Sequence, residues 1–415
     1  VSDYDAAIVG ASLAGCTAAI LLARAGARVA LVEQRPDVTA FKRICSHFIQ
    51  SSAVSTLERL DLVGAMEGAG AARGGLRVRT RWGWITPSER ASAPRCINLR
   101  RELLDPLIRR MAADTPGVEL ILGRTAHALV SEGNDVGGVE VRDRNGGSTR
   151  LRARLVVGAD GRGSQIAKLA GLRARTTPNA RFTYGAHFAG PAPAGSPDGL
   201  AWALDPDWGL AAPTDSGLTF YAAFPTKHRL HEFRRDPAAA LVAYMAALPE
   251  PPPILASEMV GSMIAKIDIP NVTHTPTGPG LALVGDAAFA ADPLWAVGCG
   301  WALQSSEWLA DSVAPALLGA EPLDQGLQRY RRRRSHGLRG HAALIRDYAQ
   351  GRPFKPAERF ILSAAARDER VAQAFEAYAT RNIGPPQMLA SALPRAAMAN
   401  ARESISRRVS GRPQR

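Results

Sequence analysis

The sequence predicts an α/β protein with a Rossmann-like dinucleotide-binding domain, a β-rich second unit and a C-terminal helical region. Three observations carry this. An apolar strand at 4–9 runs through the turn Gly10-Ala11-Ser12-Leu13-Ala14-Gly15 into a long apolar helix. Apolar strands ending in Gly/Asp turns return at 155–161 and 280–286. The stretch beyond residue 323 is Ala/Arg-rich and reads as helix.

The first unit reads as βαβ, with a helix at 13–25 and a second strand at 28–32 ending at Glu33. Free N–H groups and the dipole at the helix start favour a pyrophosphate beside Gly10, Ser12, Leu13, Ala14 and Gly15. Glu33 lies 23 positions after Gly10, the spacing of a carboxylate that accepts from adenosine ribose hydroxyls. Gln34 follows it. The middle glycine of G-x-G-x-x-G is Ser12 here, whose hydroxyl suits either a phosphate oxygen or a helix cap.

A polar loop leads through Arg43-Ile44-Cys45-Ser46-His47 to one helix expected over 51–67. Strands are expected over 76–86, a helix over 100–113 and a three-stranded meander over 118–157, with a hairpin turn at Asn145-Gly146-Gly147. The span 181–269 carries strand signals, Pro/Gly turns and one helix near 237–248. A turn at 292–300 opens a helix at 301–318. Breaks are expected at Arg352-Pro353 and Gly384-Pro385-Pro386. The domain division is 1–75, 96–175 and 270–320 for dinucleotide binding, 76–95 and 176–269 for the β-rich substrate unit, and 321–415 for the basic helical region.

At 415 residues the chain can bury a large core. No apolar run approaches the roughly 18 residues of a membrane span, and no signal peptide is visible. Four scattered cysteines without C-x-x-C support neither a disulfide framework nor a zinc site, so no metal is expected and a reducing cytoplasm is the default. Of the net charge of +13, 11 falls from Gly319 onward, where 19 Lys/Arg face 8 Asp/Glu. Arg331 to Arg334 lack interleaved aromatics, so a solvated or partner-facing helix is expected and nucleic acid is not.

In this order and spacing, the Gly10 turn, Gly158-Ala159-Asp160-Gly161 and Gly285-Asp286-Ala287-Ala288 resemble the single-component FAD-dependent monooxygenases of the para-hydroxybenzoate hydroxylase type. The resemblance covers roughly 4–318 and implies a GR2-type FAD-binding domain. It implies that Asp286 holds the ribityl chain, that Asp160 and Gly161 lie beside the cofactor, and that Arg101 and Arg43 meet the flavin and its pyrophosphate. It also places the helix after Pro293 with its N-terminus at the flavin's pyrimidine edge, where backbone N–H groups of Val297, Gly298, Cys299 and Gly300 stabilise negative charge.

The reaction implied is hydroxylation or epoxidation of a hydrophobic aromatic or polyketide-like molecule through a flavin hydroperoxide, with O2 as oxidant. NADPH or NADH is the transient reductant, since no second nucleotide fold is visible. His47 is the candidate acid/base, because histidine titrates near neutrality. Trp202, Tyr221 and Trp295 are candidate substrate contacts. The segment 292–298 also looks close to flavin halogenases and geranylgeranyl-type reductases. Arg43-Ile44-Cys45 is similar to the reductases' loop, whose two glycines are Ser46 and His47 here. An alkene reductase, or a flavin-binding scaffold for cyclisation, are the alternatives; a homo-oligomer is left open.

Overall fold

Residues 3–86 and 95–410 are described by the computed structural model, with side chains to 401. The segment 87–94, expected in the β-rich unit, lies outside the described residues. Strand Tyr4–Val9 is the centre of the first sheet, because Ala6, Ala7, Ile8 and Val9 are buried and suit a strand covered on both faces. It pairs in parallel with Val29–Glu33 and with Ser148–Gly158, and Ser148–Gly158 pairs in parallel with Leu281–Leu283.

The register decides what this sheet can do. Val9 sits opposite both Val32 and Gly158, and Gly158 opposite Leu283. Four strands therefore end at one edge, and Gly10, Glu33, Asp160 and Asp286 follow them there. Ligands of open α/β sheets bind outside such carboxyl ends.

Two expectations about local structure are corrected. Val118–Leu122 is not part of a meander; it pairs in parallel with Val29–Glu33. The antiparallel set is Thr125–Glu132, Asp135–Arg142 and Ser148–Gly158. The eleven-residue strand Ser148–Gly158 serves both arrangements, its first half in the ribbon and its second in the parallel sheet. The helix expected over 51–67 is a short turn, Ser51–Ala53, and two helices, Val54–Arg59 and Val63–Gly68. Asp61, with φ of 60°, breaks it.

A seven-stranded sheet runs in the order Glu258–Lys266, Thr183–Ala189, Leu218–Phe224, Trp208–Pro213, Gly199–Ala203, Leu76–Thr80, Gly83–Ile85. Both faces of its centre are covered. The outer face packs on helix Pro237–Ala246 through Trp202, Tyr221, Ala223, Leu241 and Tyr244. The inner face carries Trp208, Phe220, Ala222 and Phe224 against the C-terminal helices.

Those helices are Leu323–Tyr348, Pro356–Ala365, Glu369–Ala379 and Pro385–Ser410. The first lies along Gly298–Leu317, and the others close over the inner face through Ile361, Leu362, Phe375, Met388 and Ala392. Arg331 to Arg333 are exposed as expected, but Arg334 is buried. It falls on the inward stripe of Tyr330, Leu338 and Ile345, which repeats at helical spacing. Several tail arginines pair with carboxylates, among them Arg333 with Asp311, Arg352 with Asp347 and Glu358, and Arg359 with Asp205. Among the described residues no helix is long and apolar enough to cross a membrane.

Gly15 marks the tightest point of the first turn. A Cβ built there lies 1.7 Å from the Gly10 carbonyl oxygen. Gly15→Ala is expected to cost about 3 kcal/mol or more, the upper range for forced overpacking. Denaturant titration checks this; a loss under about 0.5 kcal/mol, the size of ordinary surface changes, would show that the turn can open.

Candidate active site

The Gly10 turn is drawn tightly under the sheet edge. Gly10 has φ of 108°, and a Cβ there would lie 2.5 Å from the Ala159 carbonyl oxygen. Ser12 is the N-cap residue of helix Leu13–Arg24, yet its side chain does not cap the helix. Its hydroxyl instead accepts from Arg101 Nη2 at 2.6 Å. The first-turn amides of Leu13, Ala14 and Gly15 are thereby left to an acceptor outside the helix. Glu33 is buried at the next strand end. One of its oxygens accepts from Ala11 N at 3.0 Å and the other from Arg35 N at 3.1 Å. Gln34 beside it is exposed.

Arg101 organises the floor of the site. It is 3% exposed, and its Nε and Nη2 donate to Asp105 Oδ1 at 2.9 and 2.6 Å. Asp105 also accepts from Lys42 N at 2.8 Å. Lys42 was not singled out from the sequence, yet its ammonium meets Asp286 at 2.9 Å. Arg43, the expected loop contact, and Lys42 are both exposed, and it is Lys42 that pairs with Asp286. Burial would raise the Asp286 carboxyl, but Lys42, its hydrogen bond and Arg162 hold it below the usual carboxylate value.

Asp160 has a local task. Its oxygens accept from Ser164 Oγ at 2.6 Å and Ile166 N at 3.0 Å, capping the short helix Gln165–Leu169. Gly161, with φ of 79°, completes the turn with open space around it. Asp292, missed in the sequence, is buried and accepts from Leu294 N and Asn179 Nδ2, fixing the turn at Pro293.

The helix after that turn begins at Gly298, three residues earlier than expected, with Val297 as its uncapped N-cap residue. The amides of Gly298, Cys299 and Gly300 therefore form its first turn and face outward from the helix end. Gly300 has no room for a side chain; a Cβ would lie 2.2 Å from Arg381 Nη2. Arg381 arrives from the C-terminal region and donates to Gln50 and Gln304, while Gln50 Nε2 donates to the Trp295 and Ala379 carbonyls. These bonds tie the helical cover to the loop and helix of the site, a contribution no local pattern announces.

His47 is buried with φ of 62°. Its Nδ1 accepts from Arg101 N at 2.9 Å, which places the proton of the neutral ring on Nε2. Its ring lies 4.9 Å from His187 and 5.7 Å from Phe220. Burial first, then His187, Arg101 and Arg100, push its pKa well below 6.5. The expectation of a histidine titrating near neutrality is thus corrected: the ring is held neutral.

His187 was not singled out from the sequence, and it shares the inner face with Phe220. Burial and Arg100 lower it to about 4 against the opposing charge of Asp215. Both folded values lie below the unfolded one, so stability from keeping these rings neutral is present above pH ~6.5 and is lost as pH falls toward 4. His187→Phe is expected to flatten this acid loss in thermal melts at stepped pH. An unchanged slope would remove His187 as a contributor.

Of the aromatic candidates, only Trp295 reaches this side. It packs against Trp208 at 6.0 Å and Tyr348 at 5.4 Å. Trp202 and Tyr221 do not; both are buried on the outer face of the sheet, where Trp202 Nε1 donates to the Pro249 carbonyl at 2.9 Å. Side chains alternate along a strand, so Phe220 and Tyr221 must face opposite ways.

The residues present fit FAD. An uncapped helix start follows a turn without room for a side chain, a buried carboxylate stands at the ribose position, Asp286 is kept ionised, and a second uncapped helix start faces the same edge.

Comparison with known proteins agrees. Residues 3–340 match the family described as FAD binding domain. A 6-methylpretetramide 4-monooxygenase of Streptomyces rimosus is 34% identical over 180 residues, 40% of this chain and 41% of that protein, so the match spans less than half of this relative. A digeranylgeranylglycerophospholipid reductase of Thermoplasma acidophilum is 25% identical over 347 residues, 80% of this chain and 83% of that one. The solved structure of the flavin-dependent brominase Bmp2 superposes with a TM-score of 0.76 at 18% identity, covering 98% of this chain and 99% of that one. This shows a shared fold.

Proposed function

This chain belongs to the FAD binding domain family and is an FAD-dependent oxidoreductase; from that premise we propose that it is a monooxygenase. It uses NAD(P)H and O2 to hydroxylate or epoxidise a hydrophobic aromatic or polyketide-like molecule. One observation carries this reading. On the inner face of the seven-stranded sheet Phe220 lies against the two neutral imidazoles, and Trp208 packs on Trp295 of the turn that leads to the helix start at Gly298. Aromatic walls with a few placed polar groups suit a flat, apolar substrate with an oxygen substituent. The Streptomyces relative is named for such a reaction.

FAD, when bound and reduced, supplies the activation of O2. The chain's own groups do the rest. The amides of Leu13 to Gly15 bind the pyrophosphate, Glu33 the ribose and Asp286 the ribityl hydroxyls. The first turn of the helix from Gly298 stabilises negative charge on the ring system. The C-terminal helices exclude water. His47 donates from Nε2, the nitrogen its bond to the Arg101 amide leaves protonated, and so orients a substrate hydroxyl.

The test is NAD(P)H oxidation and O2 uptake with a panel of polycyclic phenols, products being read by mass. Substrate-dependent uptake with gain of one oxygen is expected. His47→Ala is expected to retain FAD and lower turnover by about 100-fold, the lower end of what a positioned proton-bearing group contributes; unchanged turnover would remove His47. The similarity to the reductase over 80% of the chain favours a second reading, alkene saturation. It predicts gain of two hydrogens without O2, which the same mass readout separates.

A further inference from the structure

The four cysteines are free and fall into two kinds. Cys16 and Cys96 are sealed in apolar cores. Burial pushes both thiols up, Cys96 to about 12 and Cys16 beyond that. Cys45 and Cys299 are different. They lie 254 residues apart in the chain, yet their sulfurs are 3.5 Å apart. Arg101 Nη1 lies 3.7 Å from each. His47 N donates to Cys45 Sγ at 3.2 Å.

Position divides the labour within the pair. Cys45 is on the loop before His47 and is partly exposed, whereas Cys299 is buried in the first turn of Gly298–Leu317. The Cys299 hydrogen bond lowers the Cys45 thiol, burial opposes it, and the Arg101 and Lys42 cations add to the lowering. The same hydrogen bond and burial hold Cys299 well above its ordinary value. Cys45 is thus the partly open sulfur of the pair, beside the Arg101 guanidinium, and Cys299 the buried one. Reactive thiolates occur in such cationic, partly open places, and buried apolar thiols are inert.

We propose that Cys45 and Cys299 are an oxidative modification site, a peroxide-reactive thiol pair in which Cys45 attacks and Cys299 resolves. The O–O bond of hydrogen peroxide breaks. One oxygen bonds to the Cys45 sulfur as a sulfenic acid, and the other leaves as hydroxide and takes up a proton. The Cys299 sulfur then displaces the sulfenic oxygen, which leaves as water with the Cys299 proton. The pair has lost two electrons and the peroxide has become two waters. The disulfide ties the loop of Lys42 to His47 onto the helix that starts at Gly298. This inference stands on the sulfur geometry and does not depend on which reaction the enzyme performs.

The experiment treats the purified protein, with its flavin bound, with hydrogen peroxide, and then counts and maps thiols after denaturation. Expected are a fall from four titratable thiols to two, a Cys45–Cys299 linked peptide, an intact mass lower by about 2 Da, and reversal by dithiothreitol. In Cys299→Ser, a sulfenic-acid-specific dimedone label should appear on Cys45; in Cys45→Ser, Cys299 should stay unlabelled. Four remaining thiols, oxidation of Cys16 or Cys96 in preference, or oxidation of Cys45 without the link would overturn the proposal. Should either variant fail to fold, the map of the unaltered protein decides alone.

Discussion

Arg101→Met is expected to destabilise the protein by about 3–5 kcal/mol, the cost of removing one partner from a buried ion pair. Arg101 contributes Nε and Nη2 to Asp105, which is 0% exposed, and Nη2 also to Ser12. Without the guanidinium, Asp105 keeps only the Lys42 amide and the weak 3.3 Å bond from Ser12 Oγ. A buried carboxylate with two neutral donors is poorly compensated. Arg101→Lys should recover little, because an ammonium cannot span Asp105 and Ser12 as the planar fork does. Urea titration of the three proteins checks this. A loss below about 1 kcal/mol in Arg101→Met, the size of an ordinary hydrogen bond, would mean that the site rearranges to solvate Asp105. FAD retention, read from visible absorbance after gel filtration, should fall with stability, because the Arg101 guanidinium also holds Ser12 at the first helix.

Asp286→Ala is expected to fold normally and to release FAD, with affinity lower by about 10- to 100-fold, the worth of a charge-assisted hydrogen bond. The side chain stands at the sheet edge, partly exposed, and among the described residues its ion pair is with Lys42, so the core does not depend on it. The pH dependence follows from the direction of its shift. Burial would raise the carboxyl, but Lys42 and Arg162 hold it below 3.8. Its contribution is therefore intact above that value and is lost only as pH falls through the lower folded one. Lys42→Met removes the main opposing charge and should move acid release of FAD to higher pH. Flavin fluorescence released across a pH series measures both effects. Full absorbance in purified Asp286→Ala would remove the carboxylate from cofactor binding.

The parts of the site that were legible in the sequence share one property. Gly10, Glu33 and Asp286 each sit at the end of an apolar strand, so the strand's own pattern announces where the functional residue falls. A parallel sheet then brings such ends together by register, whatever else the chain does. The early start of the helix at Gly298 escaped notice because Gly298 and Gly300 are poor helix formers. Gly300 is kept there because Arg381 packs where its side chain would be, whereas Gly298 has open space around it.

The residues misread or missed share another property. Gly199–Ala203 and Leu218–Phe224 are buried at every position, so alternation separates Phe220 from Tyr221 but carries no sign of which is inside. Only the placement of helix Pro237–Ala246 on one face and the C-terminal helices on the other sends Trp202 and Tyr221 outward. Lys42 and Arg43 are adjacent cations on a loop without periodicity. Which of them reaches Asp286 depends on the loop path, held in part by Asp105 accepting the Lys42 amide.

By itself the sequence determined the α/β class and the strand-end turns at which a dinucleotide site is expected, because these rest on local strand–turn–helix chemistry and its order along the chain; that the dinucleotide is FAD was implied by the family those turns resemble. Only the tertiary structure decided the protonation of His47, the inner face of the β-rich sheet, the helical cover locked by Arg381 and the meeting of Cys45 with Cys299. Each of these depends on burial or on contacts across many residues, and neither quantity is written in the spacing of neighbours.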